Sequence, residues 1–86
     1  MNMEITTQTS EDSKRPTITA SLDSSNLKEA KYDPFMKVLT LTFHTGGSYD
    51  YIDVGEDVFV DLTSAESAGS FFHSRIKGKF EFLKLP

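Results

Sequence analysis

The stretch Val38-Leu39-Thr40-Leu41-Thr42-Phe43-His44-Thr45-Gly46-Gly47-Ser48-Tyr49-Asp50-Tyr51 decides how this chain of 86 residues folds. Over Val38–His44 large apolar residues alternate with β-branched polar ones. Leu39, Leu41 and Phe43 take one face of a strand, and Thr40, Thr42 and His44 the other. The threonines suit a half-exposed pleated surface. Gly46 and Gly47 then mark a tight turn, because hairpin turns need positive φ. Ser48–Val54 returns as the second strand. Tyr49 and Tyr51 lie two apart and share one face.

Which face depends on the register. A three-residue loop with a left-handed glycine pairs Phe43 with Tyr49 and Leu41 with Tyr51, and puts every large apolar residue on one inward side. A two-residue loop at Thr45-Gly46 pairs Thr42 with Tyr49 and displays both tyrosines beside the threonines. A one-residue slip exchanges the faces. The pattern of large residues favours the first arrangement.

Outward from this hairpin, Ile18–Tyr32 alternates weakly and fits one or two short strands around the turn cluster Asp23-Ser24-Ser25-Asn26. Asp33-Pro34 interrupts regular structure. Glu56–Glu66 reads as a helix, with Val58, Phe59, Leu62 and Ala65 at helical spacing and two acids in the first turn. A second short helix runs from about Phe71 to Lys77, with Ser70 as candidate N-cap, Phe72 and Ile76 on one face and Gly78 as its stop. Lys79–Leu85 reads as a final strand. The fold class is α+β: a small antiparallel sheet, a meander with a central hairpin, packed with two short C-terminal helices and a final strand. Residues 1–17, rich in Ser, Thr and charge, are expected to form a disordered tail. The folded domain is expected over 18–86. A core of this size is marginal, so the state is monomer or homo-oligomer, left open by the sequence.

Composition narrows the function. The absence of cysteine excludes disulfides and cysteine-ligated metal or redox sites. No stretch has the apolar length of a membrane span, and the N-terminal residues lack the apolar centre of a secretory signal. A cytoplasmic protein without membrane contact is expected. The net charge of −4 is unevenly spread. Residues 1–69 carry five cations against twelve acids, a net of −7, while residues 70–86 carry four cations against Glu81 alone, a net of +3. The basic end suits an anion or an acidic partner. His44 and His73 have no Ser and Asp at a recognisable motif spacing. Asp50, Asp53, Glu56 and Asp57 lack calcium-loop spacing. A non-enzyme without cofactor or metal is expected.

The hairpin residues Leu39 to Phe43, Gly46, Tyr49-Asp50-Tyr51 and Val54 carry a more specific signal. So do Ala65-Glu66-Ser67-Ala68-Gly69-Ser70-Phe71-Phe72 and Ile76-Lys77-Gly78-Lys79-Phe80, with Tyr32-Asp33-Pro34 upstream. Together they resemble the KTSC domain, over about residues 24–86. That family occurs as small stand-alone proteins of bacteria and phages and at the C-terminus of some lysyl-tRNA synthetases. The resemblance implies a small α+β fold, no catalysis, and a role in RNA binding suggested by the synthetase context. The chain departs from the family pattern at Gly55 (usually Pro), Ala68 (often Lys), His73 (often Asn) and Phe80 (often Tyr). The missing lysine at position 68 removes a cation from the segment best suited to hold an anion.

Two groups of candidate site residues follow. Ser67, Gly69 and Ser70 form a small-residue turn opening a helix, where backbone donors can hold a phosphate, with Arg75, Lys77 and Lys79 as cations. Tyr49 and Tyr51, with Phe80 and Phe82 if the two strands are neighbours, can stack bases or can be core. The candidate partners are RNA, a host protein docked by a phage or prophage factor, or a small anion or nucleotide held between protomers.

Overall fold

The structure, a computed structural model, describes residues 4–9 and 16–86. Its described strands form one antiparallel sheet in strictly sequential order: β1 (Glu4–Thr9), β2 (Pro16–Ser21), β3 (Leu27–Asp33), β4 (Val38–Phe43), β5 (Ser48–Tyr51) and β6 (Phe82–Lys84). The α+β meander expected from the sequence is the observed architecture. Two strands do flank the turn cluster at residues 23–26. There the Ser24 hydroxyl accepts from the Asn26 and Leu27 amides, both at 3.2 Å, a local side-chain turn that ends β2 and starts β3. The sheet also reaches into the segment that composition assigns to a tail, because β1 pairs with β2 from Glu4↔Ser21 to Thr9↔Pro16. Backbone pairing, which an apolar count ignores, carries such an edge strand, and Ile5, Thr6, Thr7 and Thr9 are all β-branched. Residues 1–3 and 10–15 of that expected tail lie outside the described residues.

The central hairpin resolves the register question in favour of the inward tyrosines, by a pairing two residues away from the expected one. Leu41 faces Tyr49 and Leu39 faces Tyr51. The loop is His44-Thr45-Gly46: the Phe43 amide donates to the Gly47 carbonyl and the Gly46 amide to the Phe43 carbonyl, both at 2.9 Å. Gly46 sits at φ +101°, so the three-residue loop with a left-handed glycine is present, one residue earlier than expected. A shift of two residues keeps every side chain on its face. Gly46→Ala should therefore cost about 1–2 kcal/mol from backbone strain alone, read as a lower urea midpoint with an unchanged slope.

One face of the sheet is covered by helix. α1 (Glu56–Ser64) buries Phe59 and Leu62, and α2 (Ala68–Phe71) continues directly into a π-helical turn over Phe72–Ile76 that buries Phe72 and Ile76. These meet Ala20, Ala30, Tyr32, Leu39, Leu41 and Tyr51 in a single core. The second helix differs from the sequence reading at its start. Ser67, not Ser70, is the N-cap, and its hydroxyl accepts from the Ser70 amide at 3.2 Å. The stop is as expected, with Gly78 at φ +77°. The π turn is closed by the Lys77 amide donating to the Phe72 carbonyl at 2.8 Å. The Ser74 hydroxyl donates to the Ser70 carbonyl at 3.0 Å, a bond that competes with the α-helical ladder and widens it. The uncovered face of the sheet is polar: Thr40 donates its hydroxyl to Asp50, and Thr42 and Ser48 share a hydrogen bond of 3.0 Å. Among the described residues no helix is long and apolar enough to cross a membrane.

Candidate functional site: an aromatic cleft at the sheet edge

β5 and β6 are neighbours, the condition on which an aromatic platform depended. Tyr49 lies opposite Lys84 and Tyr51 opposite Phe82, so all four project to the helix-covered side. The helix covers them unequally. Phe72 packs edge-on against both Tyr51, at 5.9 Å between ring centres, and Phe43, at 5.3 Å. Tyr51 is thereby 5% exposed and belongs to the core, whereas Tyr49 is half-buried. The two tyrosines of one face are not one platform. The accessible rings are Tyr49 and Phe82, 5.8 Å apart with planes at 65°, and Phe82 is 55% exposed.

Between them lies a cleft of about 320 Å³, walled by Phe43, Tyr49, Tyr51, Phe72 and Phe82, with Lys77 in its lining. Gly47 lines it at the hairpin turn, where an added Cβ would lie 3.4 Å from the Tyr49 ring. The π turn ends at Lys77, and widened turns of this kind recur at functional sites. Burial raises the Tyr51 hydroxyl above its ordinary value of 10.0, with the neighbouring Tyr49 adding to the effect. Burial likewise raises Tyr32, with Glu56, Asp57 and Asp33 adding to it. A phenol that resists ionisation in the folded state holds its proton while the unfolded chain releases it. The stability is then complete below the ordinary value and is lost as pH rises above it. Urea midpoints should fall above about pH 10, by up to about 1.4 kcal/mol per pH unit for each buried tyrosine. Tyr51→Phe should flatten that alkaline slope.

The other candidate residues do not join this cleft. Ser67, Gly69 and Ser70 line a separate polar cleft of about 560 Å³ with Asp23, Glu66 and His73. Its ionisable lining is carboxylate and imidazole, with neither Lys nor Arg, which opposes an anion. The Ser67 and Ser70 hydroxyls are engaged with each other at 3.1 Å within the cap, and the His73 ring lies edge-on to Phe72 at 5.5 Å. Arg75 stacks over the Phe71 ring at 5.7 Å. Lys79 lies beside Asp53 and Glu81 on another flank. Of the expected cations, Lys77 alone reaches the tyrosines, so the sequence-based site divides into four places.

Two aromatic residues of the cleft, Phe43 and Phe72, and Lys84 beside it escaped the sequence reading as site residues. Phe43 and Phe72 read as core because apolar spacing does not show which end of a ring stays open. Lys84 was counted with the basic end, and its position opposite Tyr49 follows from the β5–β6 register. His44 is a further structural residue: its Nε2 bonds the Ser24 carbonyl at 2.8 Å, and its amide donates to the Asn26 carbonyl at 3.0 Å. These bonds pin the hairpin turn to the β2–β3 turn.

Comparison with known proteins agrees with this architecture. A crystal structure of a KTSC domain protein from Yersinia pestis superposes with a TM-score of 0.72 at 30% sequence identity, covering 96% of this chain and all of that one. A protein of Tsukamurella paurometabola is 39% identical over 64 residues, 74% of this chain and 96% of that protein. A lysine–tRNA ligase of Trichormus variabilis is 38% identical over 63 residues, which is 73% of this chain but 11% of the ligase. This fold unit therefore occurs both as nearly a whole small protein and as a minor part of a large enzyme. With the model of the KTSC domain matching residues 23–80, from the β2–β3 turn to just before β6, the chain belongs to the KTSC domain family.

Proposed function

We propose that this chain is a non-catalytic cytoplasmic accessory module that binds single-stranded nucleic acid, RNA in particular, in the cleft between the hairpin turn and β6. One observation carries the reading: two accessible aromatic rings, Tyr49 and Phe82, border an open cleft that has Lys77 in its lining and Lys84 opposite Tyr49. Rings that stack a base beside ammonium groups that meet its phosphates are the elements of single-strand recognition. The lysine–tRNA ligase relatives, which by name act on a tRNA, supply a setting in which such a module would serve. The acidic remainder of the chain keeps the footprint small and local, since an extended phosphate backbone would be repelled beyond the cleft.

Fluorescence anisotropy with labelled single-stranded RNA and with tRNA tests this. The Tyr49→Ala, Phe82→Ala double variant should lose at least about tenfold in affinity, the equivalent of one stacked base. Two lysines meeting phosphates set a shallow salt dependence, with a slope near −1.4 in log K against log salt. Equal affinity of the folded double variant, or no binding by the native protein, overturns the reading. A partner captured from a host lysate that survives nuclease digestion would favour protein docking instead. The surface for that is the β3–β4 turn, where Phe35 and Met36 are 65% and 57% exposed.

A further inference from the structure

The sheet ends at β6, and β6 is exposed along its whole length. Its two bulky residues point to opposite faces, Phe82 at 55% and Leu83 at 63% exposure. The hydrogen bonds to β5 show which backbone groups remain. The Ile52 amide donates to the Glu81 carbonyl and the Leu85 amide to the Ser48 carbonyl, both at 2.9 Å. In an antiparallel pair, successive residues turn their backbone groups alternately inward and outward. Residues 81, 83 and 85 face β5, so the N–H and C=O groups of Phe82 and Lys84 point away from the sheet. An edge with outward donors and acceptors beneath exposed apolar side chains is a template for another strand.

The tripeptide Phe82-Leu83-Lys84 is complementary to itself. A two-fold axis through Leu83 sets Phe82 opposite the partner's Lys84 and Leu83 opposite the partner's Leu83. The outward groups then satisfy one another: Phe82 exchanges both backbone bonds with the partner's Lys84, and Lys84 with the partner's Phe82. On the helix side each ammonium and its methylene stem lie beside a phenylalanine ring, the geometry of a cross-strand cation–π pair. On the polar side two leucines cover each other. No like charges lie directly opposite, whereas parallel pairing would set Lys84 against the partner's Lys84. A foreign strand would have to supply both a cation for Phe82 and an apolar residue for Leu83; a second copy supplies both.

We infer that two copies of this chain join antiparallel through β6, making one continuous sheet and bringing the partner's Lys84 to the Phe82 wall of each aromatic cleft. The isologous contact is closed by its two-fold symmetry. It is short, so the dimer is weak and forms with rising concentration.

Sedimentation velocity of the full chain, without nucleic acid, tests the inference. From about 10 μM to about 1 mM the mass should move from the 9.6 kDa monomer toward twice that value. Leu83→Asp, which sets two carboxylates across the axis, should raise the midpoint concentration at least about tenfold. Lys84→Pro is the selective variant. The amide it removes points away from β5, so the intramolecular ladder is untouched while the outer edge is blocked. A monomeric, folded Lys84→Pro protein supports the inference. A native protein that stays monomeric throughout, or a Lys84→Pro protein that dimerises like the native one, overturns it. Neither result bears on the anisotropy experiment, so the dimer and the nucleic-acid reading fail separately.

Discussion

Tyr32→Ala should leave the domain unfolded at room temperature. The Tyr32 ring is 1% exposed and stacks on Phe59 at 5.3 Å with planes 15° apart. Its hydroxyl donates to the Val54 carbonyl at 2.6 Å, tying β3 to the segment that enters α1. Truncation to alanine empties a ring-sized volume, costing about 3–5 kcal/mol. It also strands the buried Val54 carbonyl, a further loss of about 1–3 kcal/mol. A domain this small has a total stability of about 5 kcal/mol, so the sum reaches the whole. Tyr32→Phe separates the two contributions: it keeps the stacking and loses the hydrogen bond alone. Circular dichroism and urea titration should show a folded Tyr32→Phe protein weakened by about 1–3 kcal/mol and an alanine variant without a cooperative transition. An alanine variant that unfolds cooperatively near the native midpoint would refute the account of this contact.

The second large effect divides the two tyrosines of β5. Tyr51→Ala removes a ring held between Phe72 and Phe82 in the core and should cost about 3–4 kcal/mol. Tyr49→Ala removes a half-buried ring from the cleft wall, leaves Leu41 and Leu39 covered by helix, and should cost about 1–2 kcal/mol. Nucleic-acid affinity should follow the opposite order once each variant is measured as folded protein. Tyr49→Ala should weaken binding directly, while Tyr51→Phe, which keeps the ring, should leave it intact. Equal destabilisation by the two alanine substitutions would show that the helix does not distinguish the two rings.

Much of the fold was legible because its signals are local. The alternation of Val38–His44, the glycine at the turn, and the spacing of Phe59, Leu62, Phe72 and Ile76 each reflect the period of one element. Even the register error was harmless, because a two-residue shift preserves the side of the sheet. The start of the second helix was misread because both Ser67 and Ser70 have the chemistry of a cap; Ser67 is the one whose hydroxyl meets the amide three residues on. The edge strand at Glu4–Thr9 was missed for a different reason. Its support comes from a neighbouring backbone rather than from its own apolar content.

The candidate site was legible in kind and not in composition. Aromatic residues and C-terminal lysines were identified, yet Arg75 stacks on Phe71, Lys79 sits with acids, and the small-residue turn faces Asp23 and Glu66. The sequence by itself determined the strand parities, the turn glycines and hence that Tyr49 and Tyr51 share one face, while the register that turns this face inward came from the structure. The tertiary structure alone decided that Phe72, twenty-one residues beyond Tyr51, covers that ring and stops short of Tyr49, and that Lys84 stands opposite the one left open. Parity is a property of one strand's own backbone. Exposure depends on what another segment lays over it, and that contact has no period in the chain.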